Sequence, residues 1–598
     1  MIRFPYGNSD FHSIRTKNML YLDRTHLISA LEQAGQQLLF LRPRRFGKSL
    51  LLSTLVNYYD IKLAEEFDSL FGDLAIGKNP TEERNQYLIL RWDFSKVSAQ
   101  GSLEDIKNSL FNHLNAHVEG FIQKYQELLR FPVHIRDEDA LASFQSLTNA
   151  IQGSGQQLYL LIDAYDNFAN EVLVSDPHNS RRYQALLEGE GILKSLFKII
   201  KASASEGKLT RVFITGVSPV VMSDMTSGYN VAKNIYLNPR FNALCGLTQA
   251  ELESSVTQVL EDCQQTEGYA TILETLRLFY NGYRFCTDIK QPCVYNPTLV
   301  FYFLQHYQEF CSAPEQLLDS NLSMDANKIR YIADLPGGQS LIAHILDEQQ
   351  ALGVTSLEDR FGVESLRDIP RDQRFMGSLL YYFGVLTITG RSAIGELELN
   401  APNLVIRGLY LEELKRKLLP NTQDSDTMQA AAKAFYQYAD LQPLVEFIET
   451  RYFAALDNRD YRWSNELTVK TAFLTLLFND TYYIMDSESA LKRRYCDLVM
   501  IVRPNMRQYA LLDFILEFKY LTLKELQLTA EQVRTHSREV TQQLPAVQAA
   551  LANATQQLQE YRTILVNKYQ EPQRLRCIAV VALGFERLVW EEVRVFDS

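Results

Sequence analysis

The sequence predicts an α/β protein of several domains, with a parallel sheet in the N-terminal region, a mostly helical middle region and a second α/β unit at the C-terminus. The chain has 598 residues, which exceeds what one hydrophobic core usually holds. Near the N-terminus, almost continuous apolar runs alternate with helical segments, as in a parallel sheet covered by helices on both faces. A comparable series of strands and helices returns near the C-terminus.

The N-terminal domain, residues 1–246, contains four short apolar runs that we interpret as strands. They are QLLFLR at 37–42, YLILRWDFS at 87–95, LYLLIDAYD at 158–166 and TRVFITGVS at 210–218. The first run is followed by a loop and then by SLLLSTLVNYYD, in which apolar residues recur at helical spacing. This order of strand, loop and helix is the framework of a phosphate-binding loop.

The remainder of the chain is predicted to form a middle region, residues 247–440, and a C-terminal domain, residues 441–598. The middle region is predicted to be helical because amphipathic stretches such as TQAELESSVTQVLEDC take the place of the strand series. The C-terminal domain has the order helix, strand, strand, helix and strand. These elements lie at 465–478, 495–504, 509–521, 528–567 and 576–585.

Charge and composition restrict the classes of function. Asp and Glu outnumber Lys and Arg by 72 to 60, so the formal charge of −12 excludes indiscriminate binding to a polyanion. Any contact with nucleic acid must therefore be local. The N-terminus lacks the order of a signal peptide, and no apolar stretch approaches the roughly 20 residues of a membrane helix. We expect a cytoplasmic protein that does not contact a membrane.

The seven cysteines are expected to be reduced thiols. They form neither CxxC pairs nor the spacing pattern of a disulfide framework, and their number is odd. Scattered cysteines of this kind are typical of proteins from a reducing compartment.

The run RPRRFGKS, residues 42–49, ends like a phosphate-binding loop. In such a loop Gly47 permits close backbone approach, Lys48 neutralises the outer phosphates and the Ser49 hydroxyl holds Mg²⁺. The usual first glycine is replaced by Arg42. That glycine only opens the loop, so a nucleotide site remains the prediction.

A partner carboxylate strengthens this prediction, because the glycine-lysine-serine triplet alone recurs by chance. Asp163 ends the apolar run LYLLID, where a magnesium carboxylate lies in folds of this kind. Together the two features predict that ATP and Mg²⁺ are cofactors. The alternatives are a solvated lysine at a helix start for Lys48 and a helix cap for Asp163. The arginines Arg42, Arg44 and Arg45 could form a basic surface patch or reach phosphate.

Several motifs occur in one order over most of residues 1–300. They are YLDRT at 21–25, RPRRFGKS, LYLLIDAYD, FITGVSP at 213–219, NPRFNALCGLT at 238–248 and YNGYRF…VYNP at 280–297. In these motifs the chain resembles the bacterial AAA-ATPase-like family, in which RPRRFGKS is the normal form of the loop. Members of that family often carry a PD-(D/E)XK nuclease-like domain at the C-terminus. The resemblance implies an AAA-type P-loop sheet and suggests a context of bacterial defence or mobile elements.

One departure from the family pattern bears on hydrolysis. The family motif is IDEYD, whereas this chain has Ile162-Asp163-Ala164-Tyr165-Asp166. In AAA-type ATPases the glutamate that follows the magnesium aspartate orients or activates the attacking water, so Ala164 predicts nucleotide binding with impaired hydrolysis. Asp166 would substitute only if the turn brought it to the phosphate.

By the same resemblance, Thr215 and Ser218 are identified with a sensor position that reads the γ-phosphate or the water; a polar turn at a strand end is the alternative. Arg240 could contact a nucleotide in a neighbouring subunit of a homo-oligomer, and a plain salt bridge is the alternative reading. The predicted nucleotide-binding residues are Arg45, Gly47, Lys48, Ser49, Asp163 and Thr215, of which Ser49 and Asp163 would hold Mg²⁺.

A second candidate site lies in the C-terminal domain. The strand period of two puts Glu517 and Lys519 on one face, and a paired strand can bring Asp497 alongside. Clustered carboxylates can hold Mg²⁺ against a scissile phosphate while a lysine positions water or stabilises developing charge. The alternative is an acidic strand edge in which Lys519 is an ordinary ion-pair partner.

This D…ExK order, after the helix NELTVK, resembles the PD-(D/E)XK nuclease superfamily, which implies a restriction-endonuclease-like α/β domain. Glu466 matches the acidic residue that many members contribute from the preceding helix, and Gln532 lies near a frequent polar position. The predicted catalytic residues are Glu466, Asp497, Glu517 and Lys519, with Asp497 and Glu517 as metal ligands. Nearby Lys492, Arg493 and Arg494 could meet a phosphate backbone or only solvate a loop.

The function predicted from these two sites is an ATP-binding AAA-type module that regulates a magnesium-dependent nuclease acting on nucleic acid, DNA in preference to RNA. A nucleotide-dependent switch or scaffold that binds nucleic acid or protein without cleaving it is the alternative, because a protein that cannot hydrolyse its nucleotide can act by holding one conformation.

Overall fold

The structure, a computed structural model, describes residues 1–167, 191–219, 231–265, 268–318, 328–330, 332–333, 338–346, 351–359, 373–419, 421–453, 466–486 and 496–593. Contacts divide the chain into two compact units. The first comprises Met1–Cys311, Ser320–Gly338 and Leu352–Asn403, and the second comprises Ser312–Asp319, Gln339–Ala351 and Leu404–Ser598. The three-domain division at residues 246 and 440 stays a prediction.

The first unit contains a parallel sheet of five strands in the order β2-β3-β4-β1-β5. The strands are Gln37–Leu41 (β1), Leu88–Asp93 (β2), Leu158–Asp163 (β3), Arg211–Gly216 (β4) and Lys233–Asn234 (β5). All four predicted strands are confirmed. Every residue of β3 and β4 is buried, which is why these strands are almost continuously apolar.

Helices cover this sheet and precede the middle region. Up to β5 the described α-helices are Phe11–Thr16 (α1), Ile28–Ala34 (α2), Lys48–Tyr59 (α3), Phe67–Phe71 (α4), Ala75–Lys78 (α5), Leu103–Tyr125 (α6), Ala140–Gly153 (α7) and Ile192–Ser205 (α8). α3 packs against β2 and β3, and α6 packs against β2. The sheet therefore holds the start of α3 close to the carboxyl ends of its central strands.

The middle region is mainly helical, as predicted. Its described α-helices are Gln249–Asp262 (α9), Tyr269–Tyr280 (α10), Pro297–Phe310 (α11), Gly338–Leu346 (α12), Gln373–Phe383 (α13), Leu404–Leu418 (α14) and Thr422–Tyr438 (α15). The first unit also has a small antiparallel sheet that sequence reasoning missed, formed by Leu352–Val354 (β6), Thr387–Arg391 (β7) and Leu397–Asn400 (β8). All three strands are short, and β6 and β8 alternate in burial, so the continuous apolar signal is absent from them.

A disulfide joins Cys263, directly after α9, to Cys311, directly after α11. The expectation that all seven cysteines are reduced is therefore wrong for this pair. The two residues are separated by 48 positions, and the packing of the two helices brings them together. No local spacing pattern could have revealed such a pairing.

The second unit contains a mixed five-stranded sheet in the order β13-β12-β11-β10-β9. Its strands are Tyr483–Asp486 (β9), Leu498–Val502 (β10), Asp513–Leu521 (β11), Leu575–Leu583 (β12) and Arg587–Glu592 (β13). β11 and β12 are parallel, whereas the other neighbours are antiparallel. The sequence prediction contained the three central strands and missed the two edge strands.

Helices cover both faces of this second sheet. The described α-helices are Gln442–Phe447 (α16), Glu466–Leu477 (α17), Leu523–Leu526 (α18), Ala530–Thr535 (α19), Arg538–Gln542 (α20) and Pro545–Tyr569 (α21). The predicted single helix over 528–567 is interrupted, because Thr529 and Ser537 cap new helices and Pro545 starts α21. α17 matches its prediction closely. Among the described residues, no helix combines the length and apolar character needed to cross a bilayer.

Candidate functional site

The loop after β1 lies at the carboxyl edge of the first sheet. Gly47 has φ +94°, a left-handed conformation that lets the chain turn directly into α3, and a Cβ there would meet no heavy atom within 4 Å. The next residue, Lys48, is buried and donates hydrogen bonds from Nζ to the carbonyl oxygens of Arg42 and Pro43, both across 2.9 Å. Burial lowers the pKa of Lys48 to about 8, although the nearby carboxylate of Asp163 acts in the opposite direction.

A cavity of about 310 Å³ opens beside this loop, a size at the lower end for a small-molecule pocket. Four of the predicted nucleotide-binding residues line it: Arg45, Gly47, Lys48 and Ser49. Its other walls come from the N-terminal segment around residues 5–9 and 20–24 and from the middle region, including Pro297, Thr298 and Phe301. Thr298 also donates its hydroxyl to the carbonyl oxygen of Arg45 across 3.0 Å, which fixes one side of the cavity to the loop.

Asp163 and Thr215, the other two predicted nucleotide-binding residues, contact each other at the ends of β3 and β4. The Thr215 hydroxyl donates to Asp163 Oδ1 across 2.7 Å, and both side chains are buried. Arg91, which sequence reasoning did not identify, lies with Nη2 at 3.4 Å from Asp163 Oδ2. Both carboxylate oxygens of Asp163 thus have protein partners. Neither Asp163 nor Thr215 lines the cavity.

Asp166 is fully buried in the turn after β3. Its carboxylate accepts hydrogen bonds from the backbone N–H groups of Val217 and Ser218, at 3.1 and 2.8 Å, and from the Ser218 hydroxyl at 3.2 Å. The Tyr165 hydroxyl donates to the Ser218 carbonyl oxygen across 2.7 Å. Asp166 and Ser218 therefore connect the turn after β3 to the end of β4. A role of Asp166 in place of a glutamate at position 164 stays a prediction.

Arg42 is an interior residue and not part of a basic surface patch. It is buried, and its guanidinium donates to the carbonyl oxygens of Leu41, Tyr236 and Phe241. The same group lies 4.3 Å above the ring centre of Phe285. Burial lowers the pKa of Arg42 to about 10, so the side chain stays cationic at neutral pH. In place of the usual glycine, Arg42 joins the loop to later segments of the chain.

Two of the predicted nuclease residues face each other across β10 and β11: Asp497 directly precedes β10, and Glu517 lies in the middle of β11. Leu498 pairs with Leu516 in the antiparallel register, so Asp497 lies opposite Glu517. Asp497 Oδ2 accepts a hydrogen bond from the Phe518 backbone N–H across 2.8 Å.

A lysine links this pair to the preceding helix. Lys519 Nζ is 3.0 Å from Glu517 Oε1 and 3.6 Å from Glu466 Oε1 at the start of α17. All four predicted catalytic residues are therefore neighbours.

The buried carboxylate of Glu517 is the strongest indication of a cation site in this cluster. It is 3% exposed, and its Oε2 atom has no hydrogen-bond partner in the described part of the chain. Burial raises the pKa of Glu517 to about 7, the adjacent Asp497 acts in the same direction, and Lys519 opposes both. A buried carboxylate oxygen without a partner is costly, and a cation or a bound water would relieve that cost.

The carboxylates fit Mg²⁺ as a partial ligand set. The described residues contain no group of three or more His, Cys, Asp or Glu side chains arranged to hold a metal ion. Mg²⁺ commonly binds through one or two carboxylates and takes its other ligands from water and substrate phosphate. Asp497 and Glu517 can supply these carboxylate ligands.

A second lysine, Lys470, was missed by sequence reasoning. It lies one helical turn after Glu466 on α17, is 3% exposed, and its Nζ has no hydrogen-bond partner among the described residues. Burial raises the pKa of Glu466, and the charge of Lys470 partly opposes this rise. The sequence feature that could have identified Lys470 is a lysine within the mostly apolar helix ELTVKTAFLTLL.

Three further assignments made from the sequence concern residues outside these two sites. Gln532 is engaged in the capping box of α19, where its side chain accepts from the Thr529 backbone N–H across 2.8 Å. Arg240 is exposed. The basic residues Lys492, Arg493 and Arg494 lie outside the described residues.

Two regions of the chain match known protein families. Residues 5–226 match the model of a family described as predicted AAA-ATPase, and residues 464–592 match the PD-(D/E)XK nuclease superfamily. The chain thus combines an N-terminal ATPase-like region with a C-terminal nuclease-superfamily domain, which confirms the resemblance found in the sequence.

Individual relatives are distant. An uncharacterized protein in the vnfD 5′ region of Azotobacter chroococcum mcd 1 is 23% identical over 477 residues, which cover 77% of this chain and 79% of that protein. The Walker-type ATPase PABY2304 of Pyrococcus abyssi aligns with a TM-score of 0.38 at 12% identity, over 65% of this chain and 96% of that one. The ORC1 protein of Aeropyrum pernix, solved in complex with DNA, aligns with a TM-score of 0.26 at 11% identity, over 67% and 95% of the two chains.

Proposed function

We propose that this protein is a magnesium-dependent nuclease that cleaves nucleic acid, DNA in preference to RNA, and that an ATP-binding AAA-type module in the same chain regulates it. The observation that carries the proposal is the cluster of Asp497, Glu517, Lys519 and Glu466, with one buried Glu517 oxygen lacking a partner in the described structure. The match of residues 464–592 to a nuclease superfamily supports the same conclusion.

The residues of this cluster have distinct tasks in the proposed reaction. Asp497 and Glu517 would hold Mg²⁺, which supplies Lewis-acid stabilisation of the charge that develops on a phosphodiester. Lys519 can donate a hydrogen bond to an attacking water or to a non-bridging phosphate oxygen, since an ammonium group has three donors. Glu466, at 3.6 Å from Lys519, keeps that ammonium directed toward the carboxylates.

The nucleotide module is proposed to bind ATP and to hydrolyse it slowly. Lys48 and the N-terminus of α3 would hold the outer phosphates, and Ser49 and Asp163 would hold the accompanying Mg²⁺. Ala164 offers no carboxylate to the attacking water, and the carboxylate of Asp166 is occupied by backbone N–H groups. The nucleotide state, rather than rapid turnover, is therefore the proposed regulatory signal.

Cleavage of defined substrates tests the nuclease assignment. Purified protein is incubated with Mg²⁺ and labelled single-stranded or double-stranded DNA and RNA, in parallel with Glu517→Gln and Lys519→Ala. We expect cleavage of DNA by the wild-type protein and at least a roughly 100-fold loss in each variant, the loss expected when a group that positions a proton or a charge is removed. Equal cleavage by the wild type and both variants would show that contamination or another site is responsible.

A non-cleaving switch or scaffold is the second candidate, and Ala164 is the observation that favours it. A module that holds its nucleotide without hydrolysing it can stabilise one conformation for as long as the nucleotide stays bound. In that case the wild-type protein binds the labelled nucleic acid in a nucleotide-dependent manner and releases no shorter product with Mg²⁺.

A further inference from the structure

The disulfide between Cys263 and Cys311 lies at the far end of a helix whose other end forms part of the nucleotide cavity. Cys311 directly follows α11, whereas Thr298 and Phe301, in the first turns of α11, line the cavity. A helix of 14 residues is about 21 Å long, so α11 connects the bond with the cavity. Because the Thr298 hydroxyl donates to the carbonyl oxygen of Arg45, the position of α11 also affects the phosphate-binding loop.

The same helix supports the N-terminal wall of the cavity. Gln308, in the last turn of α11, accepts a hydrogen bond from the Ile2 backbone N–H at 3.2 Å and donates one to the Ile2 carbonyl oxygen at 3.0 Å. The Phe4 ring packs against the Phe301 ring with 5.7 Å between their centres. The residues that follow, 5–9, line the cavity. A shift of α11 therefore changes two walls of the nucleotide cavity together.

The bond restrains two chain ends that have unfavourable backbone conformations. Cys311 has φ +50°, and Gln264, next to Cys263, has φ +56°, a left-handed region that residues other than glycine adopt at a cost. Two hydrogen bonds also join these ends: Gln265 Nε2 donates to the Cys311 carbonyl oxygen across 3.3 Å, and the Tyr307 hydroxyl donates to Gln265 Oε1 across 2.9 Å. Such bonds are individually weak, so cleavage of the disulfide lets the ends of α9 and α11 relax and separate.

We propose that the Cys263–Cys311 bond is a redox switch on the nucleotide site. The intact bond holds α11 in the position that binds ATP, and a dithiol reductant lowers the affinity for ATP by opening the bond. Both cysteines are half-buried, so a reductant can approach them from solvent. The inference rests on the proposed nucleotide binding and adds a regulator of that site.

The switch operates by thiol–disulfide exchange. One thiolate of the dithiol attacks a sulfur atom of the bond and forms a mixed disulfide, and the second thiolate then displaces the remaining protein sulfur. The dithiol gives up two electrons and becomes a cyclic disulfide. Its two protons pass through solvent to Cys263 and Cys311, which become thiols.

Reversible reduction of the full chain tests this inference. The protein is oxidised with glutathione disulfide or reduced with dithiothreitol, and mass spectrometry after alkylation counts the free thiols in each form. Calorimetry then measures the affinity for ATP in the presence of Mg²⁺, and circular dichroism compares the fold of the two forms. We expect the reduced protein to stay folded and to bind ATP about tenfold more weakly, a change typical of coupling between two sites. Reoxidation should restore the affinity.

Two variants assign the effect to this pair of cysteines. Cys263→Ser combined with Cys311→Ser removes the bond and should bind ATP like the reduced wild type, with or without dithiothreitol. Cys293→Ser changes a half-buried cysteine outside the bond and should respond to dithiothreitol like the wild type.

Three results would overturn the switch and leave the nucleotide site in place. They are equal ATP affinity of the oxidised and reduced wild type, alkylation of all seven cysteines under oxidising conditions, and loss of the folded dichroism spectrum on reduction, which would make the bond purely structural. An oxidised protein that does not bind ATP would instead overturn the proposed nucleotide site, and the switch with it.

Discussion

The Thr215 hydroxyl donates a hydrogen bond to Asp163 Oδ1 across 2.7 Å and thereby joins the ends of two neighbouring parallel strands. Both side chains are buried, so the bond is protected from competition by water. The magnesium aspartate proposed here is consequently held in position before any nucleotide binds.

Replacement of Thr215 by valine keeps the shape of the side chain and removes this donor. We expect the free energy of unfolding of the nucleotide-free protein to fall by about 1–3 kcal/mol, because a buried carboxylate oxygen loses its partner. Urea unfolding followed by tryptophan fluorescence measures the change. Thr148→Val is the matched control, since that buried hydroxyl donates only to a carbonyl oxygen of its own helix. An equal loss in both variants would mean that Asp163 draws no special support from Thr215.

Lys48→Ala is expected to abolish stabilisation by nucleotide. A ligand that binds only the folded state at 100 times its dissociation constant stabilises that state by about 2.7 kcal/mol. The melting temperature of the wild type should therefore rise with Mg²⁺ and ATP, and that of the variant should not. Lys107→Ala removes an exposed lysine paired with Glu104 and should respond like the wild type. A rise that persists in Lys48→Ala would place the nucleotide elsewhere.

Ala164→Glu is expected to raise ATP turnover at least about tenfold, because it returns a carboxylate to the position that activates water in the related ATPases. Ala164 already has φ +51°, so a glutamate there adds little backbone strain beyond that of the alanine. Phosphate release under saturating ATP measures the effect. An unchanged rate would show that the turn after β3 does not present this side chain to the nucleotide.

Glu517→Gln is expected to weaken Mg²⁺ binding at the C-terminal cluster by at least about tenfold, since one of two anionic ligands becomes neutral. Calorimetric titration of the nucleotide-free Lys48→Ala protein isolates this site from the nucleotide pocket. Glu525→Gln alters an exposed carboxylate in a capping box that glutamine can also complete, and it should bind like its parent. Identical affinities in both variants would remove Glu517 from the ligand set.

The stability of the protein should depend on pH through the titration of His113. Burial, together with the neighbouring His117, lowers its pKa from 6.5 to about 4, while Asp93 opposes this shift. The unfolded state therefore binds more protons between these values, and stability falls as the pH drops from about 6.5 toward about 4. His113→Gln can still accept the hydrogen bond that the Asp93 backbone N–H donates to His113 Nε2, and it should show a smaller fall in melting temperature over that range. An unchanged pH profile would mean that His113 does not titrate as its burial requires.

Sequence patterns predicted those parts of the structure that depend on local periodicity. β3 and β4 are buried on both faces and were recognisable as continuous apolar runs. The proximity of Asp497 to Glu517 was predicted from the alternation of side chains along paired strands. That prediction required only that β10 and β11 be neighbours in the sheet.

The features that sequence reasoning missed depend on contacts between distant segments. Asp166 is engaged by backbone N–H groups of residues about fifty positions away, and the chain composition carries no sign of them. The bond between Cys263 and Cys311 likewise depends on how two helices pack. Lys470 was overlooked because a lone lysine on a helix is usually solvated, and only its burial makes it notable.

The buried guanidinium of Arg42 has a consequence for recognising distant relatives. A chain that carries arginine at this position must also supply an aromatic ring and free carbonyl oxygens from segments roughly two hundred residues downstream, as Phe285, Tyr236 and Phe241 do. Substituting glycine to restore the common loop motif would empty a filled interior position and leave those oxygens without donors. Homologues are therefore better identified by the joint presence of this arginine and its remote partners than by the short loop alone.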